Sequence, residues 1–205
     1  MSDLYIADHR RPVTRWLPDS ACVTWCSGLD VEQVAHCFGA EPESATPMTL
    51  LDAEMEHYDE AWQTVLVGSL DGWTLAIEPN GGEARSTGVL TALSTAGRAF
   101  GLYWNGPVHT EFNYAAQGCF IAAVPRSPVT EWPAAIQGVV APHIAGLPFP
   151  TTPDDQWLNS AFALATRLSD THMTVRWLHT EHSRFVISTE ICTLADISPA
   201  DVTPR

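Results

Sequence analysis

Asp71-Gly72 stands between two runs of apolar and β-branched residues, 65–70 and 73–78. A two-residue connection of this kind closes a type I′ turn. Both central residues then take positive φ, and the backbone twist matches that of the strands on either side. The chain is therefore committed to an antiparallel hairpin. Gln117-Gly118 marks a second, between 109–115 and 119–124, and further strands are read at 21–26 and 98–104, the latter ended by Asn105-Gly106-Pro107. Strands that come as hairpins disfavour a doubly wound parallel sheet, which needs strand–helix alternation.

Helical signals lie between and after these strands. Asp30 caps a stripe of Val31, Val34, Ala35 and Phe38 that ends at Gly39. Thr49 opens a second helix reaching about residue 61, with Leu51, Met55 and Tyr58 or Trp62 on one side. Ser86 or Thr87 starts a short one with Val89, Leu90 and Leu93 forming its apolar side. Seven of the 15 prolines fall in 125–153, so that stretch is a long connection with room for one helical turn near 134–140. Asp154 or Asp155 then opens a helix that carries Trp157, Leu158, Phe162, Ala165 and Leu168 on one face. A short apolar piece at 175–178 and a strand at 185–188 follow, before a Pro-flanked end expected to fray. The expected organisation is an irregular arm (1–20), an α+β core (21–124), the Pro-rich connection, and a C-terminal helix and strand (154–205) packing on the core. The expected fold class is α+β: an antiparallel sheet of about six strands with three or four packed helices.

Composition narrows the chemistry. All ten basic residues are arginine, against 24 acids. Without lysine there is no Schiff-base or Ser-Lys chemistry, and the phosphate-gripping lysines of P-loop and kinase sites are missing. The net charge of −14 is uneven: residues 1–80 hold 14 acids and three arginines, and no arginine occurs between Arg15 and Arg85. Within that gap Glu41, Glu43, Asp52, Glu54, Glu56, Asp59 and Glu60 lie close in sequence. Such a stretch is either a solvated face or a docking surface for a cationic protein partner, and it disfavours direct nucleic-acid binding. No apolar run approaches the ~20 residues of a membrane-spanning helix. The acidic first residues lack a basic-then-apolar leader, so a cytoplasmic location is expected.

Candidate sites are few. His109 and Glu111 point the same way on a strand, and His179 and His182 would be neighbours on a helix. Together they have the donors of a catalytic metal with an open position, if the segments meet; polar residues at strand edges explain them equally. Cys26, before Ser27-Gly28 at a strand-to-helix turn, is placed where a helix N-terminus would activate a thiol, against the plainer reading of a buried cysteine. Glu78 before Pro79-Asn80-Gly81, with Trp104-Asn105, outlines a pocket; alternatively Glu78 is an acceptor for the turn's backbone. No glycine-rich phosphate loop is present, and no cofactor is expected.

The succession Gly28-Leu29-Asp30, Phe38-Gly39-Ala40, Trp73 to Gly81 (WTLAIEPNG), Leu93-Ser94, Phe100, Trp104-Asn105, then Phe112 and Tyr114 before Gly118, resembles an actinobacterial family of uncharacterised proteins. The resemblance is to a domain of unknown function, covering 21–124 and more loosely 156–178. It implies a high-GC source, in which scarce lysine codons explain the missing lysines, and it brings no catalytic residue. The expectation is a non-enzymatic acidic interaction module of the immunity, antitoxin or regulatory-subunit type. The alternative is a small-molecule-binding or metal-assisted hydrolase-like protein with a pocket near Glu78, Asn80, Trp104, Asn105 and His109.

Overall fold

A computed structural model describes residues 13–60, 63–106, 109–149 and 155–188. It contains eight strands: β1 (Ser20–Ser27), β2 (Thr46–Met48), β3 (Thr64–Leu70), β4 (Trp73–Pro79), β5 (Arg98–Asn105), β6 (His109–Ala116), β7 (Cys119–Pro125) and β8 (His182–Val186). They form one sheet in the order β2-β8-β3-β4-β1-β5-β6-β7, antiparallel at every pairing. Six α-helices accompany it among the described residues: α1 (Val31–Cys37), α2 (Leu50–Glu60), α3 (Thr87–Leu93), α4 (Ala134–Val140), α5 (Asp155–Ser169) and α6 (Val175–Leu178). The α+β class and the antiparallel sheet are as expected; the strands number eight rather than six, and the helices exceed three or four.

The turn chemistry works as read. Asp71 and Gly72 sit at φ 48 and 84, closing Leu70 onto Trp73, and Gln117 and Gly118 do the same at 52 and 68. The caps also form. Asp30 accepts from the Gln33 amide while the Gln33 side chain accepts from the Asp30 amide, and Ser86 Oγ accepts from the Val89 amide. Gly28, at φ 84, turns β1 toward α1 so closely that a Cβ there would lie 2.7 Å from the Ala96 carbonyl.

Helices cover both faces of the sheet, so the central strands are buried throughout and do not alternate. On one face Trp25, Phe100, Trp104, Phe112 and Tyr114 meet α2, α5 and α6. Trp25 stacks on Phe100 at 5.4 Å, and Phe162 of α5 stands edge-on to both Trp25 and Trp104. The Pro-rich connection supplies Trp132, stacked on Phe112 at 6.3 Å, and α4 with Ile136 and Val140. On the opposite face Cys22, Cys26, Val65, Val67, Ala99 and Ala115 pack against α1 and α3.

Two local expectations are corrected. Strand β8 begins at His182, not 185, and Thr46-Pro47-Met48, just ahead of Thr49, adds a short edge strand beside it. The inward face of α2 is Leu50 and Ala53, whereas Leu51 and Met55 are 66% and 54% exposed. Leu50 and Ala53 let the helix approach β3 and β4, and the apolar stripe read from the sequence is left facing solvent.

Candidate functional site

Glu41 and Glu43 lie at a turn beside β8 and the other acids of the stretch on α2, which packs on β3 and β4, and the structure divides them by task. Thr49 Oγ1 accepts from the Asp52 amide and donates to Asp52 Oδ2 at 2.7 Å, so Asp52 helps start α2. Glu56 pairs with Arg184 of β8 at 2.5 Å, both side chains largely buried, and is withdrawn from any docking surface. Glu41 and Glu43, flanking Pro42 at a 3-10 turn (Pro42–Ser44), are exposed, and Glu54 is half-buried. Asp59 and Glu60 lie in α2, but their side chains, like that of Tyr58, fall outside the described residues.

Helical geometry orders what surrounds Leu51 and Met55. At ~100° per residue, these two and the position of Tyr58 fall within ~60° of one another on the side of α2 away from Leu50 and Ala53. Asp52 and position 59 lie to one side of that stripe, and Glu54 lies to the other. Among the described residues the large apolar side chains that are exposed are Trp16, Leu51 and Met55, so two of the three stand here between acids.

The pocket outlined by Glu78 and Trp104 does not assemble. Glu78 faces the α1–α3 side, opposite Cys22 across the β1–β4 pairing. Trp104 faces the α5 side, where its Nε1 donates to the Pro18 carbonyl at 2.8 Å. Glu78 is 1% exposed and accepts from the amides of Glu83 and Ala84 at 2.6 and 3.1 Å, in the 3-10 turn Glu83–Arg85. Burial raises its carboxyl to about 7, against the pull of those two amides. Its carboxylate thus serves the 3-10 turn that follows, and not the Asn80-Gly81 backbone that the sequence suggested. Asn80, at φ 56, donates its amide to the Ser20 carbonyl, while its Nδ2 is buried with no partner among the described residues. Asn105 is exposed beyond the end of the cluster.

The two imidazole–carboxylate segments are also kept apart. His109 and Glu111 do share a face of β6, but β8 lies five strands away, roughly 24 Å at ~4.8 Å per strand. Glu111 accepts from Arg85 Nε at 3.3 Å and from Asn113 Nδ2 at 2.8 Å, and His109 stands edge-on to Tyr103. The Arg85 guanidinium lies 4.2 Å over the same Tyr103 ring. His179 caps α6 and meets Trp16, whereas His182 is in a strand, not a helix, and packs on Trp177 with ring centroids 4.0 Å apart. Its Nε2 lies 2.8 Å from the Trp177 carbonyl, and burial lowers its basicity. No group of three potential metal ligands occurs among the described residues.

Cys26 is 1% exposed and donates to the Leu93 carbonyl at 2.9 Å. Burial, reinforced by Cys37, pushes its thiol far up, so it is a packed core residue and not an activated nucleophile. Cys22 is likewise raised, by burial and then by Glu78.

Sequence reasoning missed one feature. Trp104 does line a cavity, but with Arg15, Asp19, Thr110 and Arg126 on the α5 side of the sheet. Four segments separated in sequence build it, and no spacing pattern joins them.

Comparison with known proteins bears on the family and on nothing finer. The model of a family of unknown function (DUF6461) matches residues 6–189. No curated protein and no solved structure gives a significant match.

Proposed function

We propose that this chain, which belongs to a family of unknown function (DUF6461), acts by binding a cationic segment of another protein on the outer face of α2. The observation that carries the reading is the pair Leu51 and Met55, exposed by 66% and 54% on α2, with exposed Asp52 to one side of them and half-buried Glu54 to the other. Fully covering a side chain of this size contributes ~1.5–3 kcal/mol, so the two anchors together supply on the order of 2–4 kcal/mol from their exposed parts. Glu41, Glu43, Asp52, Glu54, Asp59 and Glu60 set the sign of the partner. Arginine is absent from the chain between residues 15 and 85, so no neighbouring cation in sequence offsets them. Such a rim speeds encounter with a basic partner and rejects acidic ones more than it adds affinity.

The occupant that fits is an amphipathic segment with apolar residues at i, i+3 or i+4 and arginine or lysine beside them. The test uses a fluorescein-labelled helical peptide of leucine and arginine in that pattern, titrated with the full chain by anisotropy. Binding is expected in the micromolar range, weakening at least tenfold between 50 and about 300 mM salt. It should also weaken at least tenfold in the Leu51→Ser, Met55→Ser double variant, whose far-UV spectrum should match the wild type. Equal binding by wild type and double variant, or binding indifferent to salt, would refute the reading.

A further inference from the structure

The geometry points to a binding site for a free aromatic α-amino acid, where the 3-10 turn Glu83–Arg85 lies over the β5–β6 end of the sheet on its α1–α3 face. The α2 reading uses none of these residues.

Local constraints build the site. In the β5–β6 pairing Tyr103 lies opposite Glu111 and Gly101 opposite Asn113, so Tyr103, Glu111 and Asn113 share the α1–α3 face. Above them the turn that carries Arg85 is pinned by Glu78, which accepts from the Glu83 and Ala84 amides. Gly82 lets that turn come down on the ring, since a Cβ there would lie 3.0 Å from Tyr103 Cε2. The Arg85 guanidinium sits 4.2 Å above the Tyr103 ring, and its Nε donates to Glu111 Oε1 at 3.3 Å. Asn113 Nδ2 donates to the same oxygen at 2.8 Å. One carboxylate oxygen thus takes two donors, and its orientation is set before any ligand arrives.

The unused groups define the ligand. Arg85 and Glu111 are joined through Nε and Oε1 alone, and no second bond closes them into a fork-on-fork pair. Glu111 Oε2 and both Nη groups of Arg85 have no partner among the described residues, on side chains that are 15% and 34% exposed. Asn113 is buried, yet its Oδ1 has no donor among the described residues. A buried acceptor left unpaired is destabilising, so packing alone gives no reason for an amide there. Its bond to Glu111 does: Asn113 is a positioning residue that holds Oε1 inward and leaves Oε2 outward. Because Oε1 touches Nε, Oε2 and the Nη groups are separated only by the width of one carboxyl and one guanidinium. That spacing suits opposite charges carried on a single carbon. Glu111 Oε2 accepts from the ammonium, and the Arg85 Nη groups donate to the carboxylate. A simple anion is repelled by Glu111, and a simple cation by Arg85. A zwitterion meets neither penalty, and its zero net charge is not opposed by the −14 of the chain. Beside these groups stand the Tyr103 ring and the exposed His109 ring, edge-on with centroids 5.3 Å apart, which favours an aromatic side chain.

The test compares L-phenylalanine by calorimetry on the full chain with 2-phenylethylamine and 3-phenylpropionate, which keep the ring and one charge each. L-Phenylalanine is expected to bind with a Kd below about 1 mM and at least tenfold more tightly than either analogue. Glu111→Gln and Arg85→Gln should each weaken it at least tenfold. Because these two side chains also tie β6 to the turn, Asn113→Leu serves as a third variant. It removes the bond that orients Glu111 together with the unpaired oxygen, so affinity should fall at least threefold while the midpoint in urea holds or rises. A single-charge analogue that binds as tightly as the amino acid, or no binding of L-phenylalanine up to about 10 mM, would overturn the site. So would unchanged affinity in any of the three variants. All three leave the α2 face intact, so peptide binding there should persist whichever way this result falls.

Discussion

Glu78 allows the physical account of the core to be tested quantitatively. Its carboxyl is enclosed between β1 and the 3-10 turn Glu83–Arg85, and two backbone amides are its principal compensation. Burial carries it from an ordinary 4.5 to about 7. At about 1.4 kcal/mol per pH unit, ionising it in the folded state costs about 3 kcal/mol more than in the unfolded chain. The sign follows from which state holds the proton. Below pH 4.5 both states are protonated and there is no penalty. Between 4.5 and 7 the unfolded chain ionises while the native carboxyl keeps its proton, so stability falls as pH rises, and above 7 the loss is complete. Glu78→Gln removes this proton and keeps one acceptor for the turn. Urea unfolding followed by tryptophan fluorescence, run on both proteins from pH 5 to pH 8, gives the stability difference at each pH. Wild type minus variant should drop by about 2–3 kcal/mol across that range. The other ionisable groups cancel in the difference. A flat difference would show that the two amides fully offset burial, so that the carboxyl is not raised, which would refute the reasoning. The charged and polar groups around it, Cys22, Glu83 and Arg85, would then need a different electrostatic account.

Two other perturbations separate conformational from steric and ionic terms. Gly72→Ala should cost about 1–2 kcal/mol for its positive φ alone, since nothing stands within 4 Å of the added Cβ. Gly28→Ala shares the same φ but meets the Ala96 carbonyl, so its midpoint in urea should fall distinctly further. Arg184→Leu leaves Glu56 charged and largely buried without its partner, which should cost about 3–5 kcal/mol. The double variant Glu56→Gln, Arg184→Met should recover most of that loss, as a thermal melt of the three proteins would show.

Much of the fold was legible because its decisive signals are local. Asp71-Gly72 and Gln117-Gly118 dictate tight hairpins whatever packs on them, and Asp30, Thr49 and Ser86 announce helix starts through side chains acting three residues ahead. What the sequence concealed depends on long-range partners. Strand β2 is three residues with a proline, too short to show alternation, and exists because β8 lies beside it. The start of β8 reads as polar because His182 is packed on Trp177 of the preceding helix and Arg184 is satisfied by Glu56, far away in sequence. Glu78 and Trp104 read as one pocket because strand ends were taken without their facing, and the sheet's register sends them to opposite sides. The cavity beside Trp104 needed the arm, the end of β7 and α5 brought together. The helical stripe of Leu51 and Met55 was visible, but not its facing: periodicity reports that a face is apolar, and only packing decides whether that face is inside.

The most direct measurement for the α2 face is site-specific photo-crosslinking in cells, with benzoylphenylalanine placed at position 51, at 55, or at the exposed Ala135 of α4 beside the opposite edge of the sheet. The account predicts one discrete adduct from positions 51 and 55, absent from 135. Its contact peptide should carry arginine or lysine beside apolar residues, and its yield should fall when Glu54 is changed to Arg. Adducts equally abundant at 135, or a contact peptide that is acidic or lacks apolar residues, would contradict it.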